Sequence, residues 1–166
     1  MLELILFAIV LAVTAWVTTS HSPHDKSHPA REQIQVNGPI GIVEPWAPAM
    51  PGSIGNGAGY MVIVNNQPAA DRLIKAESDW AERVTLHASV TSGNMVGMRE
   101  IGEISIAAGD RLTLRPGVLH LMFEGLYAPF VAGDTVPVTL TFERAGHVKL
   151  MLNVLPLGTA PQDHEH

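Results

Sequence analysis

The chain has 166 residues, a formal net charge of −6 and no cysteine. That length is enough for one domain with its own apolar core. The missing thiols exclude disulfides, thiolate zinc sites, iron–sulfur clusters, cysteine nucleophiles and a cysteine-linked lipid anchor. With 5% aromatic residues and no basic run, the chain offers nucleic acid neither a phosphate-binding stripe nor stacking platforms. The soft or borderline metal ligands left are 8 His and 7 Met.

In chain order, residues 1–20 come first. Leu4 to Val17 is an uncharged apolar run without Gly or Pro, followed by Thr18, Thr19 and Ser20. The run is short for a membrane span and close to the length of a signal-peptide core. Its leading residues are Met1-Leu2-Glu3, without the usual Lys or Arg. The expectation is an export signal cleaved near Ser20, or a membrane anchor through residues 4–17 if it is retained. Either places the rest of the chain outside the cytoplasm, in the periplasm or its equivalent. Residues 21–33 are polar, with His21, His24 and His28, and read as a flexible linker.

Residues 34–156 carry short apolar segments separated by turn residues. Alternation is clear in Val136 to Phe142 and again in Val148 to Val154, and the Glu143-Arg-Ala-Gly146 stretch between them reads as a hairpin turn. No sustained helical period appears. Many short strands predict an all-β domain, a sandwich or barrel of half-buried antiparallel strands. Trp46, Trp80, Met61 and Met151 are expected to pack in or near its core, and His147 to be structural. Residues 157–166 form a second polar flank, with His164 and His166.

His87 ends an apolar segment, Met98 follows after ten intervening residues, His120 after twenty-one more, and Met122 lies two beyond it. Residues two apart on a strand share a face, so His120 and Met122 can serve one site. His87 and Met98 flank the turn Ser92-Gly93-Asn94, so a hairpin or a loop could bring them together. A thioether is soft, neutral and never protonated; it suits Cu(I) and is a poor ligand for zinc, magnesium or calcium. Two His and two Met make a neutral set, matched to a monovalent ion. Such a site should weaken as pH falls below about 6, where imidazole takes a proton. From these residues alone, core packing by the methionines and ordinary hydrogen-bonded histidines remain alternatives.

The run H-x10-M-x21-H-x-M resembles the signature of the periplasmic copper chaperone family often called PCu(A)C. Val43 to Pro48, Gly59 to Asn66, Ala70 to Ser78, Arg115 to Leu126 and Gly133 to Glu143 are similar to it as well. The resemblance implies a cupredoxin-like (immunoglobulin-like) antiparallel β-sandwich with an exposed Cu(I) site of His87, Met98, His120 and Met122. It also implies delivery of copper to a respiratory oxidase copper subunit or another copper carrier, typically toward the dinuclear copper site of cytochrome c oxidase. One departure concerns the first His. Many members carry another Met close after it, where this chain has Ala88-Ser-Val90. Met95 is an alternative to Met98, whose spacing fits better.

His21, His24, His28, His164 and His166 are candidate ligands for a second, weaker Cu(II) site, since Cu(II) prefers imidazole. If cleavage follows Ser20, His21 presents amine and imidazole together. The leading expectation is a metallochaperone without catalysis. The alternatives are a copper-buffering or scavenging protein without an oxidase target, and a structural or adhesive sandwich without metal. A blue-copper electron carrier needs a thiolate that is absent, and no hydrolase motif is present.

Overall fold

The computed structural model describes residues 34–36, 38–52, 55–92 and 95–161. The expected signal or anchor (1–20), the linker with His21, His24 and His28, and the tail histidines His164 and His166 lie outside the described residues. The described residues form eleven strands: β1 (Ile34–Val36), β2 (Ile40–Pro48), β3 (Asn56–Asn65), β4 (Asp71–Glu77), β5 (Ala81–Ser92), β6 (Met95–Ile101), β7 (Ile104–Ile106), β8 (Arg111–Leu114), β9 (Leu119–Leu126), β10 (Thr135–Phe142) and β11 (Gly146–Leu155). No helix occurs among the described residues.

Alternating side chains produce the core. Val136, Val138, Leu140 and Phe142 of β10 are buried, as are Leu150, Leu152 and Val154 of β11. The two strands pair from Thr135↔Asn153 to Phe142↔Gly146, so the predicted hairpin turn is in place. Gly146 takes a φ of 74°, a left-handed conformation that only glycine adopts at little cost. The same period corrects one expectation: Met151 lies between the inward Leu150 and Leu152, so it faces out at 39% exposure, whereas Met61 is core at 2%. His147 finds a local partner, its Nδ1 lying 3.0 Å from Thr141 Oγ1.

Seven strands close a ring in the order β2-β11-β10-β4-β5-β9-β3, and β3 pairs back to β2. Closure leaves the seven strands without a free edge. One seam departs from the expected antiparallel pattern, because β11 runs parallel to β2 through Asn153↔Trp46 to Leu155↔Pro48. No hairpin links strands this distant in sequence, so turn geometry does not set their direction. The additional strands β1, β6, β7 and β8 extend β2, β5, β4 and β3.

Two local devices in β2 and β3 prepare the surface beside β9. Val43↔Val62 and Trp46↔Tyr60 place one extra residue in β2, a bulge at which Glu44 adopts a φ of 46°. Before it, Ile40 and Ile42 point inward; after it, Ala47 and Ala49 do. The bulge therefore turns Trp46 outward onto Tyr60, with ring centroids 4.7 Å apart. In β3, a Cβ on Gly59 would come within 2.9 Å of Leu152 Cδ1 and 3.1 Å of Phe123 Cε2. Gly59→Ala is expected to cost about 1–3 kcal/mol through overpacking. A lower urea midpoint at unchanged slope would report it.

Candidate metal centre

Alternation divides β9 into two sets. Leu119, Leu121 and Phe123 enter the core; His120, Met122 and Glu124 take the opposite face. On β5, Val84 and Leu86 are buried, so Arg83, Thr85, His87 and Ser89 share the outer face. The register sets His87 directly across from His120, Thr85 from Met122 and Arg83 from Glu124. On the other side of β5, β6 places Glu100 opposite His87 and Met98 opposite Ser89.

All four sequence-predicted residues therefore lie on one face of three adjacent strands. The His pair forms the centre, with ring centroids 5.8 Å apart. Met122 sits one row to one side on β9, and Met98 one row to the other side on β6. Antiparallel pairing of β5 with β6, as far as Ser92↔Met95, brings the two segments side by side. Its register does not put Met98 opposite His87. Met98 is 57% exposed, and its Sδ lies 3.8 Å from Ser89 Oγ, which donates to Gly117 O at 2.6 Å. Met95 stands three residues before Met98 in β6, and its side chain is outside the described residues.

His120 is 6% exposed although it faces away from the core. It is walled by His87 on one side and by Tyr60 on the other, the Tyr60 ring centroid lying 6.2 Å away. Trp46 stacks behind Tyr60 in the same row. Inside this wall two imidazole nitrogens, His87 Nε2 and His120 Nδ1, are shielded from solvent and have no hydrogen-bond partner. Buried polar atoms are nearly always satisfied, and an orphan needs a reason. Two orphans on facing histidines fit a set of donors waiting for an ion.

Burial, and then the proximity of His87, lower the pKa of His120 below its ordinary 6.5. His120 thus stays neutral at a pH where free imidazole is already protonated. Its folded pKa lies below its unfolded one, so this residue's contribution to apoprotein stability is intact above pH 6.5. It is lost as pH falls through the depressed value. The expected result is an apoprotein urea midpoint that declines as pH falls through this depressed value, measured by urea titrations between about pH 7 and 4.

Three charged residues around the pair were not singled out from the sequence. Glu124 accepts from Arg83 Nε and Nη2 at 3.0 and 2.5 Å and from Thr85 Oγ1 at 3.2 Å. Arg83 also reaches Glu100 Oε2 at 3.3 Å. Hydrogen bonding to Arg83 holds the Glu124 carboxyl below the usual range. Period two was the available signal: Glu124 lies four residues after His120 and Glu100 two after Met98, so each shares a face with a candidate site residue.

Residues 40–154 match the family described as Putative lipoprotein LpqE-like. The chain belongs to the LpqE-like family. A relative, Putative lipoprotein Lxx21020 of Leifsonia xyli subsp. xyli, is 32% identical over 136 residues, covering 81% of this chain and 77% of the relative. Among solved structures, the copper-bound PCuAC domain from PmoF2 superposes with a TM-score of 0.64 at 26% identity, covering 75% of this chain and 98% of that domain. The Cu(I) form of DR1885 from Deinococcus radiodurans gives 0.55 at 27% identity, covering 80% and 86%. The resemblance to the PCu(A)C family and its all-β fold, read from the residues, is borne out.

Proposed function

We propose that this LpqE-like protein is a Cu(I) metallochaperone that binds one ion through His87, Met98, His120 and Met122 and performs no catalysis. The observation that carries the reading is the facing His pair with two buried, unpartnered nitrogens, set between two thioethers on the same face. The PmoF2 domain is copper-bound and DR1885 is in its Cu(I) form in those structures, which supports the same cargo here.

The arrangement suits capture and release. The imidazoles are held by strand pairing, so little reorganisation accompanies their ligation. Four neutral ligands leave the bound ion with a charge of +1 and impose no thiolate-strength affinity. Met98, exposed on the outermost of the three strands, is the ligand a receiving protein can reach and replace first. Transfer then proceeds by exchange of one soft ligand for another while the His pair still holds the ion.

The recipient in this reading is a respiratory oxidase copper subunit, in cytochrome c oxidase assembly, or another copper carrier. Export through residues 4–17 places the domain in the periplasm or its equivalent. The relative's name describes a lipoprotein, but this sequence has no cysteine to carry a lipid. Anaerobic titration with Cu(I) against a chromophoric chelator tests the binding. One tight equivalent is expected, and a protein that never competes with the chelator contradicts the reading. A transfer assay with an oxidase copper domain then separates delivery from buffering: a donor that keeps its copper in the presence of that domain is a buffer.

A further inference from the structure

We propose a second ligand set on the same face, made of His87, Glu100 and Glu124, that takes a divalent copper ion. The inference goes beyond the Cu(I) reading and shares only His87 with it. One ligand atom from each residue lies within 4.8 Å of the others. His87 Nε2 stands 3.6 Å from Glu124 Oε1, beyond hydrogen-bond length, and is otherwise unpartnered and shielded from solvent. The register explains the convergence: Glu100 faces His87 across β5–β6, while Glu124 reaches along β9 past Met122.

Charge and softness distinguish the two sets. The thioether set is neutral and soft, and so fits Cu(I). Here two carboxylates face one guanidinium, that of Arg83, leaving one negative charge uncompensated beside an imidazole. Oxygen and imidazole donors with net negative charge favour Cu(II) over Cu(I). Arg83 occupies the position a divalent ion would take between the carboxylates. Its side chain is half-exposed, so water can take over its hydrogen bonds when it swings away. The same His87 would then serve either oxidation state, with thioethers as partners in one and carboxylates in the other.

The test uses the full chain with His21, His24, His28, His164 and His166 replaced by Asn, so that Cu(II) on the flanks does not contribute. Electron paramagnetic resonance and competition titration are followed with Cu(II), and chelator competition with Cu(I). The double variant Glu100→Gln/Glu124→Gln should weaken Cu(II) binding on the order of tenfold or more, because even outer partners of a metal site are worth that much. It should leave Cu(I) affinity within about threefold, a margin far below that outer-partner effect. Arg83→Gln should tighten Cu(II) binding and leave Cu(I) unchanged, a direction that a purely structural ion pair does not predict. Met98→Leu/Met122→Leu should do the opposite, lowering Cu(I) affinity by more than about 100-fold and sparing Cu(II). Absence of Cu(II) binding in the parent, or equal Cu(II) affinity in parent and Gln variant, overturns the proposal while leaving the Cu(I) site standing.

Discussion

Met98→Leu/Met122→Leu is expected to lower Cu(I) affinity by more than about 100-fold, since losing even an outer partner of a metal site costs 10- to 100-fold. Leucine preserves bulk and removes the soft donor, so the loss reports ligation rather than packing. Met98 is 57% exposed, and its replacement alone should shift stability by less than about 0.5 kcal/mol. Met122 is partly buried, and a volume-conserving exchange there should cost less than about 1.5 kcal/mol. His120→Ala should abolish binding as well, but it also removes a buried ring wedged between His87 and Tyr60. Its effect therefore mixes lost ligation with a cavity, which makes the Leu pair the cleaner experiment. Competition titration and a urea curve on each variant separate the two. Unchanged Cu(I) affinity in the double Leu variant would mean that the methionines only pack.

The largest expected effect on stability lies at Asp71, a fully buried carboxylate at the start of β4. Its Oδ1 accepts from the backbone N–H of Arg72 and Arg144 at 2.8 and 2.9 Å. Its Oδ2 accepts from the Ala145 N–H and from Gln67 Nε2, both at 2.9 Å. Asp71 thereby ties the β10–β11 turn to β4. Burial alone would raise its pKa, but hydrogen bonds from Arg144, Gln67, Ala145 and Arg72 outweigh that and hold it below 3.8. Asp71→Ala strands several donors, each costing about 1–3 kcal/mol when left unpaired and buried. A total loss of about 3–5 kcal/mol is expected, the range for breaking a buried charged contact. Asp71→Asn should recover only part, because its amide nitrogen must face donors on one side. The folded pKa is depressed, so this stabilisation is full above the unfolded value near 4 and disappears as pH falls through the folded one. Wild type and Asp71→Asn should therefore converge in urea midpoint toward acid, and parallel curves at all pH would contradict the assignment.

Much of this was legible because strands write a period of two. β10 and β11 alternate cleanly, and their turn carries Gly146 where a left-handed residue is required. The pairing of His120 with Met122 followed from the same period. Elsewhere a local register decided, and spacing does not encode that. Met98 lies opposite Ser89 because β5 and β6 pair as Ser92↔Met95; a slip of two residues would have set it against His87. The bulge at Glu44 reverses the inward parity of β2, so Trp46 lines the surface beside His120 rather than the core. The parallel seam between β2 and β11 joins segments about a hundred residues apart, a contact that no local pattern carries. Asp71 stood within a stretch resembling the chaperone family, yet its role needed the turn at Arg144 and Ala145 to be placed beside it. Glu100 and Glu124 share faces with the proposed ligands, but charged residues on an outer face ordinarily signal only solvation.

The central claim is that one Cu(I) ion is held by two imidazoles and two thioethers. X-ray absorption at the copper edge, on the full chain loaded anaerobically with one equivalent of Cu(I), tests it most directly. The expected spectrum requires two sulfur and two nitrogen neighbours, and Met98→Leu/Met122→Leu removes the sulfur contribution. A first shell of nitrogen and oxygen alone, identical in wild type and the Leu variant, would contradict the account.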